Sequence, residues 1–157
     1  MTISDTNPPN CATDALPSAQ DIPEAWPFAM DSAIDFTIGP EVTSVQAMAQ
    51  ATAMIRMTLP MFLSDVPEQA EVCRAVESVV TELVDVTARH KAGVDLVGRV
   101  AFDGTHVTVS VGDIKGALPA PEQEPGLYLV HRLADEVGQY AGDFGGRVTW
   151  AAVPARR

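Results

Sequence analysis

Core-forming side chains recur every three or four residues through Val72, Val76, Val79, Val80, Leu83, Val84 and Thr87. That spacing lines one flank of a helix, so a helix is predicted from near Asp65, with Pro67 in its first turn. A similar pattern through Val42, Val45, Met48, Ala49, Thr52, Ile55 and Leu59 predicts an earlier helix, begun at Gly39-Pro40 and ended by Pro60. Elsewhere the period falls to two. IDFTI, 34 to 38, predicts a short strand. LVGRVAF and THVTVSV flank Asp103-Gly104, a two-residue linker that tolerates positive φ, and predict a hairpin with Val107, Val109 and Val111 on its buried face. A third helix is expected over Leu127, Val130, Leu133, Ala134 and Val137. After Gly145-Gly146 comes a last strand, RVTWAAV, with Trp150 in the core. The order strand, two helices, hairpin, loop, helix, strand predicts an α/β (α+β) fold: a two-layer sandwich of a mixed, mainly antiparallel sheet covered by helices on one face.

Composition limits what such a sandwich could do. The chain has 157 residues, the size of one domain, and the regular pattern covers 34 to 157. Residues 1 to 33 are read as an acidic, Pro-containing flexible tail, in which Trp26 and Phe28 could dock on the domain or a partner. The net charge is −11, and residues 1 to 55 hold seven acids and no Lys or Arg. Phosphate-backbone binding needs clustered basic residues, so nucleic acid is not an expected partner. No apolar run approaches the roughly 18 residues of a membrane span, so no membrane partner is expected either. MTISDTNPPN lacks the basic start and apolar run of a secretory signal, which points to the cytoplasm. Cys11 and Cys73 are read as reduced thiols.

Few residues announce chemistry by themselves. His90, His106 and His131 are dispersed without zinc-ligand spacing, and His131 is read as a surface residue. No Ser or Cys sits in a nucleophile motif. From pattern alone, Glu82 is a solvated helix acid at the edge of the apolar stripe, with Val86 four residues on along the same flank. Asp113 is equally a strand-end acid capping a turn or a ligand-binding group.

Four ordered stretches add to this: TELVDVTARH, 81 to 90; VSVGDIKGALP, 109 to 119; EPGLYLVHRLAD, 124 to 135; and GGRVTWAAVP, 145 to 154. Together with VQAMAQATAMIRMTLP they resemble the histidine-kinase-like ATPase (GHKL) superfamily, in its anti-sigma-factor serine-kinase branch, over about residues 36 to 154. The resemblance implies a Bergerat-type ATPase fold with ATP and magnesium as ligands. It implies that Glu82 is the catalytic base or water-positioning group. Asp113 would accept the adenine amino group, Gly116 would supply turn freedom under the base, and Gly126 and Leu127 would receive phosphates at a helix start. His90 matches the last position of the helix motif. The pattern also departs from the family. Val86 stands where an Asn oxygen would hold magnesium, and Thr87 replaces an Ala. Lys115 and Ala117 replace glycines, and Glu124-Pro125 precede Gly126. Magnesium is a hard cation that wants oxygen ligands, and a valine offers none.

The expected function is therefore a cytoplasmic bacterial regulator of the anti-sigma or serine-kinase type with a degraded ATP site, acting mainly by protein binding. By analogy its partner would be a sigma factor or an anti-sigma antagonist, and a homodimer is possible. Two alternatives remain open: a working ATP-dependent serine kinase that uses Glu82, and a non-catalytic assembly scaffold.

Overall fold

Thr43 starts the first helix by a reciprocal cap: its hydroxyl accepts from the Gln46 amide at 3.2 Å, and the Gln46 side chain accepts from the Thr43 amide at 3.1 Å. In this computed structural model, which describes residues 33–91, 95–142 and 145–155, the helix runs over Ser44–Phe62 (α1). Trp26, Phe28 and Cys11 lie outside the described residues. A strand over Ala33–Ile38 (β1) precedes α1, beginning one residue before the predicted boundary. A second helix follows over Gln69–His90 (α2), then strands Leu96–Phe102 (β2) and His106–Ile114 (β3), a helix over Gly126–Leu133 (α3), and strands Glu136–Ala141 (β4) and Arg147–Pro154 (β5). The sheet order is β1-β2-β3-β5-β4, and every pairing is antiparallel. The fold is an α+β two-layer sandwich, as expected, with no parallel pair among the described residues.

Four details differ from the sequence reading, each for a physical reason. Pro60 lies inside α1: near the helix end it sacrifices one amide donor, while buried Leu59 and Leu63 and the Leu63 amide bond to Leu59 at 3.2 Å carry the last turn. The buried flank of α1 is Ala47, Ala51, Ile55 and Leu59, so the predicted stripe is rotated and leaves Val45 and Ala49 outside. Arg56 is the one charged residue of this helix, so the pattern had little contrast to orient it. The hairpin connection is longer than Asp103-Gly104. The Asp103 carboxylate accepts from the amides of Thr105 and His106, both at 2.8 Å, while Gly104 takes φ +100°. Finally, the third helix stops at Leu133, and Val137 belongs to β4, a strand the periodicity did not reveal. Its register opposite β5, Val137 to Ala151 and Tyr140 to Val148, completes the sheet edge.

Packing follows from the two periods. Helix α2 buries Val72, Val76, Val79, Val80, Leu83, Val84, Val86 and Thr87 against the sheet. At roughly 1.5–3 kcal/mol for each fully buried aliphatic side chain, this stripe is the largest single stabilising contribution from any helix. Helix α1 lies along one flank of α2, joined by Thr52–Thr81 at 3.1 Å and Arg56–Glu77 at 2.7 Å. Phe36 covers Gly98 so closely that a Cβ there would overlap the ring. Trp150 is buried, as expected, although it alternates with Ala151 and Val153 and so lies on the sheet face away from the main core.

Thr87 is 0% exposed, and its hydroxyl has no hydrogen-bond partner among the described residues. An unsatisfied buried hydroxyl costs about 1–3 kcal/mol, and valine keeps its shape without that cost. Thr87→Val is expected to raise the unfolding free energy by about 1 kcal/mol in urea melts. A destabilised variant would mean that the hydroxyl is satisfied.

Candidate functional site

The buried stripe fixes the rotation of α2, and that rotation decides what its other side chains can meet. Glu82 and Arg89 face the flank occupied by the loop before α3 and by α3 itself. The Glu82 carboxylate lies against Gly126, the first residue of α3, so closely that a Cβ on that glycine would collide with it. Burial pushes the Glu82 carboxyl up from its ordinary range; Asp85 adds to the shift, Arg89 opposes it, and Glu124 adds to it again. Val86, which the resemblance aligns with a magnesium ligand, is 2% exposed and belongs to the hydrophobic core.

The strongest polar cluster lies one turn further along. Arg89 donates to both oxygens of Glu124, from Nη1 at 2.8 Å and Nη2 at 2.7 Å. It also donates to Asp85, from Nε at 3.2 Å and Nη2 at 3.0 Å. His90 Nε2 stands 2.9 Å from Glu124 Oε1, and an ionised carboxylate only accepts, so the ring N–H is the donor. Glu124 is thus held by two side chains from the last turn of α2. The hydrogen bonds from Arg89, then the one from His90, hold its carboxyl well below the usual range, at about 2.

The loop that carries Glu124 is also tied near its start. The Lys115 amide donates to the His90 carbonyl at 3.0 Å, and the Leu118 amide to the Gln139 side chain at 3.0 Å. Gln139 is 2% exposed and donates onward to Thr149 at 3.3 Å. Gly116 takes φ +72°, so the turn freedom expected there is used. At the start of α3, the Leu127 amide is bonded to the Glu124 carbonyl at 2.9 Å and the Tyr128 amide to Pro125 at 3.0 Å. Those donors are engaged within the turn, and the Leu127 side chain is core.

The structure therefore brings Glu82 to Gly126 and His90 to Glu124. Asp113 sits apart from both contacts. It is 6% exposed, and its carboxylate abuts Gly142 beyond β4, where a Cβ would overlap it. His131 is buried rather than on the surface, and burial lowers its pKa toward the neutral ring. The sequence reading missed Gln139, on the unpredicted strand β4, its contact with Thr149 on the predicted last strand, and the partnership of Arg89 with Glu124. Only the i, i+4 pair Asp85–Arg89 carried a local signal. A groove of about 210 Å³ lies elsewhere, among Glu68, Val72, Leu133 and Pro154, near the first turns of α2. The chain matches no known family model and no curated protein.

Glu124→Gln is expected to lower stability by at most about 1 kcal/mol at neutral pH, since it weakens a bidentate pair whose arginine is half-exposed and screened by solvent. The folded carboxyl titrates at about 2, below the ordinary value near 4.3, so its contribution is complete above that ordinary value and is lost as pH falls toward about 2. Urea midpoints of both proteins should differ by a constant amount from about pH 7 to 5, draw together below about pH 4 and converge near about pH 2. A gap that is undiminished at about pH 2 would contradict the assignment.

Proposed function

We propose that this protein is a regulatory binding module of the anti-sigma or serine-kinase type, built like the histidine-kinase-like ATPases but with a nucleotide site that no longer holds magnesium-ATP. The observation that carries this reading is the Glu124 carboxylate seated on Arg89 and His90. Arg89 and His90 close the helix motif whose Asn position would hold the magnesium that bridges the phosphates, and an internal carboxylate already engages both side chains. A triphosphate would have to displace an ion pair and bring several negative charges beside Glu82, Asp85 and Glu124.

The remaining residues point the same way. Val86 offers no oxygen to a hard cation and is packed into the core. The Leu127 and Tyr128 amides are bonded within their own turn. This set does not fit a magnesium-bound triphosphate. Function then falls to protein contacts: a sigma factor or an anti-sigma antagonist is the proposed partner, bound in the cytoplasm. The competing kinase reading draws on one observation, the raised carboxyl of Glu82, a property of groups poised for proton transfer.

Thermal unfolding with ATP, with and without magnesium, separates the readings. A ligand that binds only the native state at about 1,000 times its dissociation constant adds about 4 kcal/mol. The expected result is no change in melting temperature at about 1 mM nucleotide. A magnesium-dependent rise that grows with ATP would favour the kinase.

A further inference from the structure

Met57 is 77% and Met61 68% exposed, one turn apart on the same flank of α1. Neither is spare core, since the opposite flank of the helix already packs through Ala47, Ala51, Ile55 and Leu59. We propose that the chain's own Trp26-Pro27-Phe28 segment folds back onto this methionine pair and covers it. The proposal is independent of the nucleotide site, because α1 meets α2 through Thr81 and Glu77, on a different flank from Glu82.

The point at which the tail enters the domain brings this face within reach. Ala33, the first described residue, pairs with Ala101 at the hairpin end of β2. In that hairpin the Thr105 carbonyl accepts from the Ala155 amide at 2.8 Å. Ala155 and Glu68 line one groove, and the neighbouring Gln69 side chain donates to the Pro60 carbonyl at 2.6 Å. Pro60 and Met61 therefore stand at the end of the sandwich where the tail enters. Trp26 and Phe28 precede Ala33 by seven and five residues, so they reach at most about 23 Å and about 17 Å from it at ~3.3 Å per residue. Crossing from the sheet layer to the outside of a helix takes roughly 16 Å, which sets Phe28 against Met61 and Trp26 against Met57. Val45, about 24 Å along the helix from Met61, lies beyond this reach.

Spacing and charge select the same segment. A residue before proline favours extended backbone, and in an extended chain Trp26 and Phe28 share one side about 6.6 Å apart. Met57 and Met61 are about 6 Å apart along their helix, and thioether sulfur packs well on aromatic rings. Glu24 and Asp31 flank the aromatic segment, while the 19 residues of α1 carry one charge, Arg56. The acidic tail thus lies on α1 without an opposing carboxylate from that helix. The groove at the same end of the sandwich has an apolar floor of Val72, Leu133 and Val153, but Glu68 and Glu71 on its rim repel such a tail. Docking on α1 hides both apolar surfaces together, so a partner that takes either one must first release the other.

Methionine oxidation in the full chain tests this. Hydrogen peroxide passes one oxygen atom to an exposed thioether sulfur and is left as water. Peptide mass spectrometry is expected to show Met57 and Met61 oxidised at least ~5-fold more slowly in the native chain than in its Trp26→Ser, Phe28→Ser variant, with Met54, which packs against the core, at one rate in both. The ratio should hold over a ~100-fold range of protein concentration, as for a contact within one chain. Chymotrypsin cleavage at Phe28-Ala29 supplies the reverse arm. Met57→Glu together with Met61→Glu should speed it at least ~5-fold, while Glu71→Gln on the groove leaves it unchanged. Equal oxidation rates in the two chains, protection that rises with concentration, or cleavage that is indifferent to the methionine substitutions or altered by Glu71→Gln would each overturn the proposal.

Discussion

The rotation of α2 about its own axis governs the molecule. Eight buried side chains, from Val72 to Thr87, hold one flank of this helix against the sheet. Turning the helix by one residue, about 100°, would withdraw most of that stripe from the core and bury Glu82 in its place. With the rotation fixed, one flank must meet α1 through Glu77 and Thr81, and another must meet α3 through Glu82 and Arg89. The placement of both outer helices follows.

The polar chemistry is a consequence of this geometry. The last turn of α2 presents Arg89 and His90, and the loop from β3 to α3 returns a carboxylate, Glu124, to meet them. Coulomb attraction and three short hydrogen bonds hold the loop down, while Gln139 anchors its middle from inside the sheet layer. Arg89 and His90 are thus satisfied from within the chain. Glu82 sits beside this clamp with a raised carboxyl and no room above it, because Gly126 closes directly on its oxygens.

How much of this could be read from sequence depended on contrast. The core face of α2 was legible because valines and leucines alternate with Glu, Arg and Asp, so the period had a definite phase. Helix α1 was legible as a helix but not in its rotation, since alanines and methionines surround it and Arg56 alone marks an outside. Strand β4 was hidden because Val137 also continued the helical spacing of Leu127, Val130 and Leu133, so nothing local placed the helix end at Leu133. The hairpin signal at Asp103-Gly104 was sound in kind, while the carboxylate of Asp103 organises a longer turn than the dipeptide suggested. The partner of Arg89 was not legible, because Glu124 is 35 residues away and no pattern in one chain joins them.

The central claim is that Glu124 serves as the resident anion of the Arg89–His90 pair and so stands in the way of a bound nucleotide. A crystal structure of the protein grown with ATP and magnesium tests this most directly. The account predicts Glu124 still within hydrogen-bonding distance of Arg89 and His90, with no ordered triphosphate beside Glu82. A triphosphate seated on those two side chains, with a coordinated cation near Val86 and Glu124 turned away, would contradict it.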